Sequence, residues 1–187
     1  ALFENAEPKK TENTLAIISP HAGYVFSGSV AASAFNQINT DKNYRNIFII
    51  GSSHRVSFDG ASIYNKGNFI TPLGTVNVDT ALANILINEN KVFQFNTDAH
   101  ISEHSLEVQL PFLQYIMKTN YKIVPIVIAT DNKSICREIA KALKPYFNSE
   151  NLFIISTDFS HYPEYADATR IDKLTADAII SNSSDKL

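Results

Sequence analysis

The sequence predicts an α/β domain built on a mostly parallel central sheet, with helices on both faces in a three-layer α/β/α arrangement. Three observations carry this. Apolar runs such as Ile47–Ile50 and Tyr121–Ala129 lack the polar alternation of a half-exposed strand, so both of their faces need cover. Amphipathic stretches alternate with those runs and supply it, as in Lys133–Phe147, where Ile135, Ile139 and Leu143 recur at helical spacing. Three of the apolar runs also end in the same way, with Ser or Gly and then His: "LAIISPHAGY", "IFIIGSSHRV" and "LFIISTDFSHY".

The elements follow in order. Leu15–Ser19 reads as a short buried strand. Ser27–Ile38 reads as a helix opened by Ser27 or Ser29, its small residues allowing close packing on a sheet. Asn46–Gly51 is the next strand. Residues 60–78 break the alternation with Gly, Asn and Pro punctuation, which predicts a β-hairpin or meander. Asp79 caps a helix reaching about Asn88, and Lys91–Phe95 is a further short strand. Ser105–Thr119 has Leu106, Leu110, Leu113 and Met117 at helical spacing, with Pro111 either kinking the helix or setting a late start. Tyr121–Ala129 is a strand, Asp131 or Asn132 caps the helix over Lys133–Phe147, Leu152–Ser156 is the last strand, and a helix covers Ile171–Ile180. The 187 residues fit one domain, taken as residues 1–187.

Composition excludes some functions. A net charge of −3 argues against a broad nucleic-acid-binding surface. No run approaches the roughly 18 apolar residues of a membrane-spanning helix. The single cysteine, Cys136, has no partner for an internal disulfide, which favours a reducing, cytoplasmic setting. It lies beside the apolar stripe of its helix and reads as a partly buried structural thiol.

In parallel sheets the carboxyl ends of the strands carry the ligand site. His21, His54 and His161 each follow such an end, and His104 lies near a helix start between Glu103 and Glu107. His100 has no such placement and reads as a surface residue. Any one of these imidazoles could merely tie a loop. Three at equivalent strand ends suggest a site for a borderline metal, Fe(II), Cu or Zn. An acid/base cluster in which Asp158 orients His161 is the alternative. Spacing does not choose between them, because no H-E-x-x-H signature is present. The glycines of "AGYVFSG" form no phosphate-binding loop, and Ser52 and Ser53 beside His54 sit in no nucleophile elbow.

The segments "ISPHAGYVFSGSVAASAF", "IFIIGSSHRVSFDGASIY", "TPLGTVNVD", "DAHISEHSLEVQLPFL", "IVPIVIA" and "LFIISTDFSHY" resemble, in order, those of the MEMO family, called AmmeMemoRadiSam system protein B in prokaryotes. That family is similar in fold to the class III, LigB-type extradiol dioxygenases. The resemblance implies that His21 and His54 are metal ligands and that His161, beside Asp158, faces the same pocket; with the strand-end reading, His161 is a third candidate ligand. It implies an acid/base role for His104. It also implies a third protein ligand, Glu or Cys, from a C-terminal segment that nothing here matches, and the family's opening "PAVAG" stretch is missing as well. The sequence is therefore expected to be incomplete at both ends. By the same resemblance the cofactor is Fe(II) or Cu, with Zn as a further option, and the partners are a radical SAM protein, an AMMECR-type protein or a peptide. The expected function is a metal-dependent, dioxygenase-like or redox-active protein with catalytic His161, Asp158 and His104; the alternative is a non-catalytic peptide-binding protein that retains the pocket.

Overall fold

The computed structural model describes residues 2–10 and 12–183. The chain divides into two compact units, residues 1–157 and 158–187.

The first unit is built on a six-stranded sheet. Its strands are β1 (Ala16–Ser19), β2 (Asn46–Ser52), β3 (Ala61–Ile63), β6 (Phe93–Gln94), β7 (Ile123–Ile128) and β8 (Asn151–Ser156). They lie in the order β1-β8-β2-β7-β3-β6. β1, β8, β2 and β7 are mutually parallel, β3 runs antiparallel to β7, and β6 is parallel to β3. The expected three-layer α/β/α fold with a mostly parallel sheet is therefore what forms.

Side chains alternate between two cores, as a strand period of two requires. Along β2, Ile47 and Ile49 enter one core, with Ala31, Ala32 and Phe35 of α1 (Tyr24–Phe35) and Leu110 and Leu113 of α4 (Leu110–Ile116). Phe48 and Ile50 enter the other, with Ala83 and Leu86 of α2 (Thr80–Glu89) and Ile139 and Leu143 of α5 (Lys133–Leu143). This double cover is why the strands carry no polar face.

Several elements differ in detail from the sequence reading. α1 starts at Tyr24 on Gly23, and neither Ser27 nor Ser29 caps it; the Ser27 hydroxyl donates to Ala22 O instead (2.8 Å). The excursion over 60–78 is only partly a hairpin. β4 (Phe69–Thr71) and β5 (Gly74–Val76) pair with each other, whereas β3 joins the main sheet. The helix expected over Ser105–Thr119 is shorter: a 3-10 turn at Glu107–Gln109 leads into α4, with Pro111 in its first turn, where a missing N–H costs no hydrogen bond. A short helix, α3 (Asp98–Ile101), precedes it. Asp79 caps α2 by accepting from Leu82 N (3.1 Å), and Asn132 caps α5 by accepting from Ser134 N (2.9 Å).

The second unit consists of a loop and α6 (Tyr165–Ile180), which begins before the Ile171 start read from the sequence. Lys173 pairs with Asp177 (3.1 Å) one turn on along its surface. Among the described residues no helix is long and apolar enough to cross a membrane.

A histidine cluster at the carboxyl ends of the strands

Register sets the site. Ser19 of β1 and Gly51 of β2 both lie opposite Ser156 of β8, the strand between them. His21 and His54 each follow two residues beyond the last residue of their strands, so both emerge at one edge of the sheet, to either side of Ser156.

There His21, His54 and His104 meet. Each offers a ring nitrogen within 4.8 Å of the other two, a grouping that could hold a metal ion. The rings of His54 and His104 stack with centroids 4.8 Å apart and 25° between planes, and His21 lies edge-on to His54 at 5.0 Å. His21 is buried (1% exposed), while the His104 side chain is half exposed. One imidazole is thus fixed within the protein and another reaches solvent.

The hydrogen bonds assign the tautomers. Ser156 Oγ donates to Ser105 O (2.5 Å) and accepts from Gln109 Nε2 (2.8 Å). Its one proton is already committed, so across the 2.9 Å contact His21 Nδ1 must be the donor. His54 Nδ1 lies 2.8 Å from Glu103 Oε1. Burial alone would raise the Glu103 carboxyl. The backbone N–H groups of Ser105 and His54, and then their side chains, outweigh it and hold the group at about 2. An ionised carboxylate only accepts, so His54 Nδ1 donates as well. In both residues the lone pair therefore resides on Nε2, the atom a metal would take. Imidazole nitrogen is a fitting donor for a borderline transition ion.

Asp158 and His161 belong to the second unit. There His161 Nε2 lies 4.0 Å from Asp158 Oδ2, and its Nδ1 is 3.1 Å from Phe159 O. Phe159 and Tyr162 have φ of 64° and 61°, a left-handed backbone at the ends of the "FSHY" turn.

His100 is not the surface residue expected. It packs against Tyr64 (5.4 Å between centroids) and Phe95 (6.2 Å), with Nε2 2.9 Å from Ser62 Oγ. Burial lowers its pKa to about 4, against a smaller upward pull from Glu103. The reading failed because its partners lie in β3 and just beyond β3 and β6, which no local pattern brings together. Cys136 is half-buried on α5, its thiol 3.9 Å from Thr130 O, in keeping with a structural role.

Three contributors were missed: Glu103, Ser156 and Gln109. Gln109 had a signal, since it is a polar residue in phase with Leu106 and Leu110 on a buried face, and it is fully buried. Glu103 had a weaker one, its place directly before His104.

Comparison with known proteins identifies the family of the chain. A family model described as Memo-like protein matches residues 1–187. A MEMO1 family protein of Desulfurococcus amylolyticus is 35% identical over 178 residues, covering 94% of this chain and 63% of that protein. MEMO1 family proteins of Sulfurisphaera tokodaii and Thermotoga neapolitana are also 35% identical, over 92% and 91% of this chain and 62% of each relative. The chain thus spans less than two thirds of the length of these relatives. On the match along its whole length, and on these identities, the chain belongs to the Memo-like protein family.

Proposed function

We propose that this chain binds a redox-capable transition metal, iron or copper, on Nε2 of His21 and His54, and uses it in dioxygenase-like chemistry. The observation that carries the reading is the gathering of three imidazoles within 4.8 Å, two of them with Nδ1 already donating to protein partners. Such an ion, when bound, supplies Lewis-acid activation and one-electron redox capacity.

The protein's own groups divide the remaining work. Ser156 and Glu103 orient the two ligating rings. His104, half exposed and stacked on His54, accepts or donates a proton between a bound substrate and solvent. On the resemblance of the "DFSHY" motif, Asp158 and His161 are assigned as a pair that binds substrate or moves a proton, with His161 as a further candidate ligand. Zinc is the redox-silent option for the same donors. A cytoplasmic setting, with a radical SAM protein and an AMMECR-type protein as partners, belongs to the same proposal.

An anaerobic titration with Fe(II) and with Cu tests it. The parent takes up stoichiometric metal, and the His21→Ala/His54→Ala variant takes up far less. Equal uptake by the two proteins ends the reading.

One observation favours a second reading, a peptide-binding protein that retains the pocket without turnover. Val25 and Phe26, in the first turn of α1, are 94% and 85% exposed, an apolar surface suited to a partner chain. Stoichiometric metal without oxygen consumption on catechol-type substrates would favour this alternative.

A further inference from the structure

We propose that Glu103 is the positioning residue of the cluster: its buried carboxylate sets the tautomer of His54 and ties together the two loops that carry His54 and His104. The inference rests on the metal-binding reading above only for the use made of Nε2; the tautomer and the loop tie are properties of the metal-free protein.

Four donors converge on this one side chain. Oε2 accepts from the His54 backbone N–H (2.7 Å). Oε1 accepts from the His54 ring (2.8 Å) and from the backbone N–H groups of His104 and Ser105 (2.9 Å each). The donors come from two segments far apart in sequence, the turn after β2 and the turn before the Glu107–Gln109 helix. The carboxylate is only 2% exposed, so water does not compete for its oxygens. A single group thereby sets the backbone of both turns and the proton position on one ring.

The effect extends to His21. Ser105 N donates to Glu103, Ser105 O accepts from Ser156, and Ser156 accepts from His21 Nδ1. Ser105 Oγ also reaches Ser52 O (3.3 Å), anchoring the same turn to the end of β2. Glutamine would match glutamate in size but not in function. It offers one oxygen where the site uses two, and its NH2 would confront an N–H donor.

The test compares the parent with Glu103→Gln. Nitrogen-15 NMR of the imidazoles in the metal-free proteins, with His54 identified by its loss in His54→Gln, reads the tautomer. Calorimetric titration with Co(II) reads the site. The parent is expected to show His54 protonated on Nδ1. Glu103→Gln is expected to show mixed tautomers and a Co(II) affinity lower by about 10- to 100-fold. A parent His54 protonated on Nε2 overturns the proposal, and this holds even if the variant does not fold. A folded variant with unchanged tautomer and affinity overturns it as well. A parent that binds no Co(II) overturns the metal reading instead, and the tautomer comparison then decides on Glu103 alone.

Discussion

His21 Nδ1 lies 2.9 Å from Ser156 Oγ, although the two residues are 135 positions apart in sequence. The contact exists because β1 and β8 are hydrogen-bonded neighbours with Ser19 opposite Ser156, which puts the end of one strand beside the loop leaving the other. Ser156 also accepts from Gln109 and donates to Ser105, so three segments share one hydroxyl.

Ser156→Ala should therefore cost more than an ordinary surface change. It leaves the His21 ring and the Gln109 amide without this acceptor, and Ser105 O without this donor, in a buried setting. A loss of about 2 kcal/mol is expected in denaturant unfolding, together with weaker metal uptake because the His21 ring is no longer held in one tautomer. Unchanged stability and uptake would show that the bond does not orient the ring.

Fold and site were legible in the sequence to different degrees. The strands β2, β7 and β8 and the capped helices α2 and α5 were readable because their signals are local: apolar runs, helical stripes, and Asp79 or Asn132 at an N-cap. The placement of His21 and His54 followed from one rule about parallel sheets. The role of Glu103 was legible only as its place before His104, because its partner His54 lies 49 positions away, and that of Ser156 was not legible, because β8 pairs with β1 and β2 across more than a hundred residues. The start of α1 was misplaced for a local reason. Ser27 looks like a cap in isolation, but the turn through Gly23 had already begun the helix.

His100 should make the fold sensitive to mild acid. Its pKa falls from 6.5 to about 4 on folding, so the native state favours the neutral ring. Below pH 6.5 the unfolded chain binds a proton that the folded chain does not. Its contribution is therefore complete above pH 6.5 and is lost progressively down to about pH 4. The loss should be on the order of 2 kcal/mol for a partly buried ring. Urea midpoints at pH 7.5 and pH 5 measure it, and His100→Gln should show a smaller drop between the two. An equal drop in both proteins would assign the acid sensitivity elsewhere.

Asn132→Ala supplies a control away from the histidines. Asn132 Oδ1 accepts from Ser134 N (2.9 Å) and Ile135 N (3.4 Å) at the start of α5. Its removal should cost about 1 kcal/mol, seen as a Tm lowered by about 3 °C. Metal uptake should not change. If uptake falls with this variant too, then the losses in Ser156→Ala and Glu103→Gln reflect general destabilisation rather than the orientation of the rings.

Gly51→Ala separates packing from hydrogen bonding at the site. Gly51 lies in β2 where a Cβ atom would run into Ser105 Oγ and come within 2.9 Å of Ser105 Cβ and 3.1 Å of Leu106 Cδ2. Neither side can yield freely. Gly51 is paired with Ser156 on one side and Val127 on the other, and the turn through Ser105 is held by Glu103. One methyl group should therefore push the Ser105 turn away from the strand and cost about 1–3 kcal/mol. The displacement would act on the rings of both His21 and His54, since Ser105 N donates to Glu103 and Ser105 O accepts from Ser156. Gly51→Ala is thus expected to weaken metal uptake without altering any polar group of the site. A variant as stable as the parent, with its His54 tautomer and metal uptake intact, would mean that the turn can shift without disturbing the rings it supports.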